Sequence, residues 1–422
     1  MHRQLSKAAG WIAVGSGISQ ALLLLAISYC ANRLPAEEFG RLGFLYQTYL
    51  TLNTIVASGI GEAIVRTFAE RLGNARLCAR DLWDYLGIVS VLLIVPAVLI
   101  LIGSGYLAKW WFQSNRFQPE IVASAFSFFF GGLIVIPLSI LSGLKQYREV
   151  SLLNIGRGFL LSLGMIAGLL VGSTREVMMG LAIGSLLALL LAVVFVAKVS
   201  SSASQCPKEH QRPSKIRETL LFGLPLTISS IVGSGSMWLG LHAILLQPDG
   251  IVQMAFITLA LQWRNLILFL PTMVNKAGLP YLVESWSRRD VESFLKQLAL
   301  TMRWITFITV LPIPVLLFIQ MGFYKHLSGW NAILATLLIL ISAPVSAISA
   351  NISNAVIALG RAWQGFYLNC AWAFLFLLSL QLPLPSGVRF GLALVLSYLI
   401  LGGLVLVHVR THLRHATGDR VH

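Results

Sequence analysis

Four charged side chains lie inside stretches too apolar to solvate them. Arg66, Arg157 and Arg264 each interrupt a hydrophobic run, and Glu62 precedes Arg66 by four residues, one helical turn. A charge in such a place faces protein, water or ligand rather than hydrocarbon, and so marks a candidate site. The planar guanidinium fork suits an oxyanion, phosphate above all, because it donates parallel hydrogen bonds. Arg264 is the most isolated of the three: its nearest charged neighbour in sequence is Lys276. Gln253 and Asn275 lie eleven residues to either side of it, about three turns along the same helical face. It reads as an anion-binding group, with pairing to a distant carboxylate as the alternative. Arg157 sits two turns into its helix behind Asn154, where snorkelling accounts for it as well as function does.

Glu62 and Arg66 belong to a longer stripe. Gln47, Thr51, Thr54, Ser58, Glu62 and Arg66 are spaced 4, 3, 4, 4 and 4, which keeps them on one side of a helix. Facing lipid the stripe would be costly, so it is expected to line a wet cavity, with Gln47, Thr51, Ser58 and Gln253 as polar lining. A pair that only fixes the helix end is the alternative. Glu62, a carboxylate within a span, is the candidate for ion coupling through exchange of its Arg66 partner for a proton or a substrate phosphate. Ser342, Ser346, Ser349 and Ser353 repeat at 4, 3 and 4 and read first as helix packing, with a polar lining as the alternative. The sequence has no GxxxxGK[ST], HExxH or GxSxG, and Cys30, Cys78, Cys206 and Cys370 show no pair spacing. No catalytic residue, metal or cofactor is expected, and the chain is not expected to be an enzyme.

The elements that position these residues follow from composition. Of 422 residues 57% are hydrophobic and 11% charged, where soluble domains run near ~25% charged. Twelve segments approach the ~20 apolar residues that cross a bilayer: 8–32, 42–69, 85–108, 121–144, 151–172, 177–197, 219–246, 251–275, 304–322, 331–358, 363–381 and 390–409. The first is too long for the apolar core of a signal peptide, so it is expected to remain as a helix. The longest polar run, Lys198 to Glu218, carries five bases against two acids and divides the segments six and six. The expected fold is an all-α polytopic membrane protein of about twelve transmembrane helices in two six-helix lobes with pseudo-two-fold symmetry. Its lobes are residues 1–197 and 219–422, the latter ending in a basic tail, joined by a basic linker at 198–218.

With the amino terminus inside, the inner segments hold 21 of the 31 lysines and arginines and the outer ones seven. That bias matches the positive-inside rule and puts both termini in the cytoplasm. The net charge of +15 is thus a mark of topology, and nucleic acid is not expected as a partner. Prolines within the spans, Pro96, Pro137, Pro225, Pro271, Pro312, Pro314 and Pro344, fit the bent helices of transporters.

One region resembles a known family. Leu34 to Glu70, LPAEEFGRLGFLYQTYLTLNTIVASGIGEAIVRTFAE, has a Pro-x-Glu-Glu-Phe-Gly turn and a Gly-x-x-x-Ala-x-x-Arg helix end. It is similar to the first loop and second helix of the polysaccharide-biosynthesis (O-antigen) flippases. These belong to the multidrug/oligosaccharidyl-lipid/polysaccharide exporter superfamily. The motif covers about 40 residues and the six-plus-six layout the whole chain. Gln247-Pro248-Asp249-Gly250 stands where the second half would repeat the first turn.

The resemblance implies a bacterial inner-membrane flippase that moves polyprenyl-diphosphate-linked oligosaccharide by alternating access through a cationic cavity. Arg66 matches the helix-end arginine of the motif, while Arg264 matches no motif and is placed by chemistry alone. The substrate lipid and the bilayer are the implied partners, with polysaccharide polymerase machinery beside them. An ion-coupled drug or metabolite antiporter of the same superfamily is the alternative. A polymerase or ligase would need a large outer loop, which is missing, and the basic signature that major-facilitator transporters carry between spans two and three is absent from Ala69 to Asp84.

Overall fold

The structure, a computed structural model, describes residues 2–70, 79–201, 214–288, 290–323, 329–358 and 362–418. All its regular elements are helices: α1 (His2–Arg33), α2 (Ala36–Val56), a π turn (Ala57–Gly61), α3 (Glu62–Glu70), α4 (Ala79–Ile102), α5 (Ser104–Phe112), a 3-10 turn (Asn115–Phe117), α6 (Gln118–Gly143), α7 (Tyr147–Val171), α8 (Thr174–Ser201), α9 (Ser214–Leu245), α10 (Gly250–Ser287), α11 (Val291–Val310), α12 (Pro312–Phe323), α13 (Trp330–Ala358), α14 (Ala362–Ser379) and α15 (Ser386–Gly418). Among the described residues ten helical segments are long and apolar enough to cross a membrane. They correspond to all the expected spans but two. The second is diluted by its polar stripe, and the eleventh is described as a short apolar helix, Phe366–Ser379. Residues 202–213 of the polar connector lie outside the described residues; its two ends continue α8 and begin α9.

The chain divides into two compact units, Met1–Trp238 and Leu239–His422. The division falls within α9, so the first part of that helix packs with the N-terminal helices. In the first unit α6 is the central helix. Its Phe128, Ile136, Ile140 and Leu141 meet Leu86, Val89 and Leu93 of α4, Ile64 and Phe68 of α3, and Leu153 of α7. The outer face of α4 is equally apolar, with Val91, Val95, Leu99 and Ile102 exposed. A helix hydrophobic all round belongs in lipid or in a large core.

Small residues set the tightest seams. A Cβ on Gly164 would overlap the Gly180 carbonyl oxygen, and one on Gly180 would overlap that of Gly164, so α7 and α8 touch backbone to backbone. The start of α9 is docked on the end of the second span in the same way. Thr67 and Thr219 share a hydrogen bond of 2.7 Å, the Tyr85 hydroxyl lies 3.2 Å from Thr219, and Gly59 leaves no room for a side chain against Thr227.

The second unit is built on α10, α13 and α15. Ala335, Ile339, Leu340 and Ala343 of α13 are fully buried, as are Phe390, Ala393 and Leu394 of α15 and Met254, Ala255, Ile257 and Ala260 of α10. Trp372 and Phe376 of α14 stack at 5.2 Å, and Trp372 also lies 5.2 Å from Tyr398 of α15. These aromatics seal α14 to α15 and fix where Tyr398 stands.

Candidate functional site

Arg264 occupies the middle of the second unit's helix seam, 5% exposed. Its Nε donates to Ser342 Oγ at 2.7 Å and its Nη2 to Ser346 Oγ at 3.1 Å. The two serines are one turn apart on α13, so both meet the same side of the guanidinium. Its Cζ lies 5.6 Å from the Tyr398 ring centroid, within cation–π range. No described carboxylate lies within ion-pair distance of Arg264. The serine repeat, read first as packing, therefore supplies the partners of the isolated arginine. Their four-residue spacing was the signal, but it could not say which helix they would meet.

The same face of α10 continues to Asn275. Asn351 Nδ2 donates to Asn275 Oδ1 at 2.8 Å, Asn275 Nδ2 to the Ala347 carbonyl at 3.4 Å, and Asn354 Nδ2 to the Asn275 carbonyl at 3.3 Å. Asn351 Oδ1 is buried without a partner among the described residues. At the other end of the helix Gln253 Oε1 accepts the backbone N–H of Gly387 at 2.7 Å. Gly387 is in the first turn of α15, where backbone N–H groups have no partner within the helix, so Gln253 caps that helix from a neighbouring one. About six turns of α10, from Gln253 to Asn275, thus hold α13 and α15 by polar contacts, with the arginine midway between two amides.

In the first unit the polar stripe runs through α2, the π turn and α3. In a regular α-helix Arg66 would stand about 100° out of line with Gln47, because nineteen residues overshoot five turns by one residue. The π turn closes i to i+5 and absorbs about one residue, which brings Glu62 and Arg66 back onto the stripe. Gln47 is buried at 6% exposure, Thr51 and Ser58 are half-buried, and Thr54, Glu62 and Arg66 are exposed. The stripe opens outward along its length. Thr54 and Ser58 donate to the Leu50 and Thr54 carbonyls at 2.8 and 2.9 Å, so their hydroxyls are satisfied on their own helix. Gln47 Nε2 and Arg157 Nε are buried and have no hydrogen-bond partner among the described residues. Arg157 is half-buried on α7, close enough to Tyr46 of α2 for its field to act on the phenol. A groove of about 610 Å³ on the outer face of α11, lined by Met302, Thr306, Phe307 and Val310 with Arg303, touches none of these residues.

The sequence profile of the polysaccharide biosynthesis proteins matches residues 5–286, two-thirds of the chain. The chain belongs to that family. Among curated relatives, the EPS I polysaccharide export inner membrane protein EpsE of Ralstonia solanacearum is 21% identical, covering 87% of this chain and 85% of its own. Among solved structures, a multidrug resistance MATE family transporter of the MOP superfamily in an inward-facing conformation superposes with a TM-score of 0.72 at 16% identity. It covers 96% of this chain and 99% of its own. The lipid II flippase MurJ in an inward closed conformation superposes with a TM-score of 0.70 at 15% identity, over 93% of this chain and 87% of its own. At such identities the likeness shows the fold. This polysaccharide biosynthesis family member has the transporter architecture that drug exporters and a lipid flippase share.

Proposed function

We propose that the protein is an inner-membrane flippase that carries a polyprenyl-diphosphate-linked oligosaccharide, the repeat unit of an O-antigen, capsule or exopolysaccharide, across the membrane by alternating access. The observation that carries this reading is Arg264, a buried guanidinium that among the described residues is supported only by neutral hydroxyls and an aromatic ring. A cation in a helix seam without a described counter-charge is expensive, and an anionic substrate is the natural compensation. The glycan on its diphosphate cannot enter hydrocarbon, while the isoprenoid tail need not leave it. Arg66, Arg157 and Arg264 are each assigned to supply positive charge for the diphosphate. Gln47, Thr51 and Ser58, with the amide nitrogen that Gln253 leaves free of its helix cap, are the polar groups assigned to the head-group path, and Glu62 is assigned to exchange with Arg66. The reading places both termini in the cytoplasm and the protein beside the polysaccharide polymerase machinery.

Family membership and the polysaccharide export relative support the substrate class. The shared MATE and MurJ fold supports transport and leaves the cargo open, and the buried arginine favours an anionic one. Deleting the gene is expected to abolish surface polysaccharide and to accumulate lipid-linked oligosaccharide on the cytoplasmic face, both restored by the wild-type gene. Intact surface polysaccharide combined with raised drug susceptibility would instead assign the protein to ion-coupled drug export.

A further inference from the structure

We propose that Ser342 and Ser346 are positioning residues that make Arg264 an end-on receptor for a single phosphate group while leaving its charge whole. The inference rests on the reading of Arg264 as a diphosphate-binding group and goes on to say how that group is presented. Each serine hydroxyl has one proton to donate. Ser342 gives its proton to the Ile339 carbonyl at 2.7 Å, and Ser346 gives its own to the Ala343 carbonyl at 3.0 Å. Both oxygens are therefore committed as acceptors, and both accept from Arg264. Nε and Nη2 together form the side-on edge of the guanidinium, the edge that most often grips a carboxylate. Here that edge is taken.

Of the five guanidinium N–H donors, three remain: both on Nη1 and the second on Nη2. Nη1 has no hydrogen-bond partner among the described residues, yet it is not among the atoms sealed from the exterior. The outward N–H of Nη1 and the second N–H of Nη2 form the end-on edge, which matches two oxygens of one phosphate at roughly 2.7–2.9 Å. The plane is held from below as well. Tyr398 sits under Cζ, and Ser349 Oγ donates to the Tyr398 carbonyl at 3.0 Å, tying α15 to α13 at that point.

Serine rather than aspartate at these two positions leaves the guanidinium charge available to an anion. A carboxylate at either position would hold Arg264 more strongly, but it would also cancel the charge that an anion needs. A structural arginine gains from such a partner, whereas a receptor loses by it.

The test uses the full-length protein purified in detergent, with farnesyl diphosphate as probe and farnesol as the uncharged control. The wild type is expected to bind the diphosphate well above farnesol. Replacing both serines, Ser342→Ala with Ser346→Ala, is expected to weaken that binding about tenfold, the effect of losing two oriented hydrogen bonds. Ser342→Thr, which keeps the hydroxyl, is expected to bind within about twofold of the wild type. Ser342→Asp is the decisive variant. It should lower affinity as far as Arg264→Ala does while leaving the melting temperature unchanged or higher. If Ser342→Asp or the double alanine binds like the wild type while Arg264→Ala does not, the serines only pack, and the positioning role is overturned. If Arg264→Ala itself retains full affinity, or the wild type does not distinguish the diphosphate from farnesol, the underlying assignment of Arg264 fails and takes this inference with it.

Discussion

Arg264 and Gln253 lie on one helix and are polar for different reasons. Arg264 carries a charge that its hydroxyl partners do not offset. Gln253 spends its carbonyl oxygen on a helix start. The Gln253→Ala variant is therefore expected to lose about 1 kcal/mol, the usual worth of a side-chain cap. Gln253→Glu, which keeps an acceptor oxygen, should lose less. Thermal unfolding of the purified variants checks this, and a wild-type melting temperature for Gln253→Ala would show the cap to be dispensable. At this scale the sequence exposes the charges and hides their partners. An arginine in an apolar run is visible from composition alone. Its contacts with Ser342 and Ser346, 78 and 82 residues away, depend on which helix faces which. Gln253 was likewise visible as polar within a span, but nothing local distinguishes a cavity-facing amide from a capping one.

Among the elements, the second span shows how far periodicity reaches. Its 4, 3, 4, 4, 4 stripe is plain in the sequence, but the π turn that keeps the stripe aligned is not, because apolar spacing does not encode an i to i+5 closure. Breaks at Gly103 and at Leu311 also divide what reads as single spans near 85–108 and 304–322. Gly164-x-x-x-Gly168-x-x-x-Gly172, running to the C-cap of α7, and Gly180-x-x-x-Gly184 in α8 are small-residue repeats of the kind that permits close helix contact, and the structure pairs Gly164 with Gly180. Filling that seam should be costly. Gly180→Leu is expected to destabilise the first unit by about 3 kcal/mol or more, since overpacking against rigid backbone has no soft neighbour to yield. Its level in membranes should drop severalfold, while Gly87→Ala, where no atom stands within 4 Å, should accumulate normally. Equal accumulation of the two variants would show that α7 and α8 are not held so closely in the membrane.

For the whole molecule, the helical membrane architecture was the most legible feature, since an apolar content of 57% leaves few other folds open. The point of division was less so. The polar connector ends at Glu218, yet α9 packs with the first unit as far as Trp238, because Thr219, Gly223 and Thr227 fit against Thr67, Ala63 and Gly59. Charge bias predicts the orientation: topology reporters fused at Gln205 and at Ala416 should both report cytoplasm, and one at Pro248 the opposite side. An extracytoplasmic signal at Gln205 would invert the map. The central claim, that a buried arginine receives an anionic lipid-linked glycan, is tested most directly in cells lacking the chromosomal gene. Surface polysaccharide is measured in cells carrying Arg264→Ala or Arg264→Lys, with the amount of each protein in the membrane as control. The account predicts that Arg264→Ala gives no more polysaccharide than the deletion at normal protein level. Arg264→Lys should restore little of it, because an ammonium cannot reproduce the planar fork. Full surface polysaccharide from normally accumulated Arg264→Ala would contradict the account.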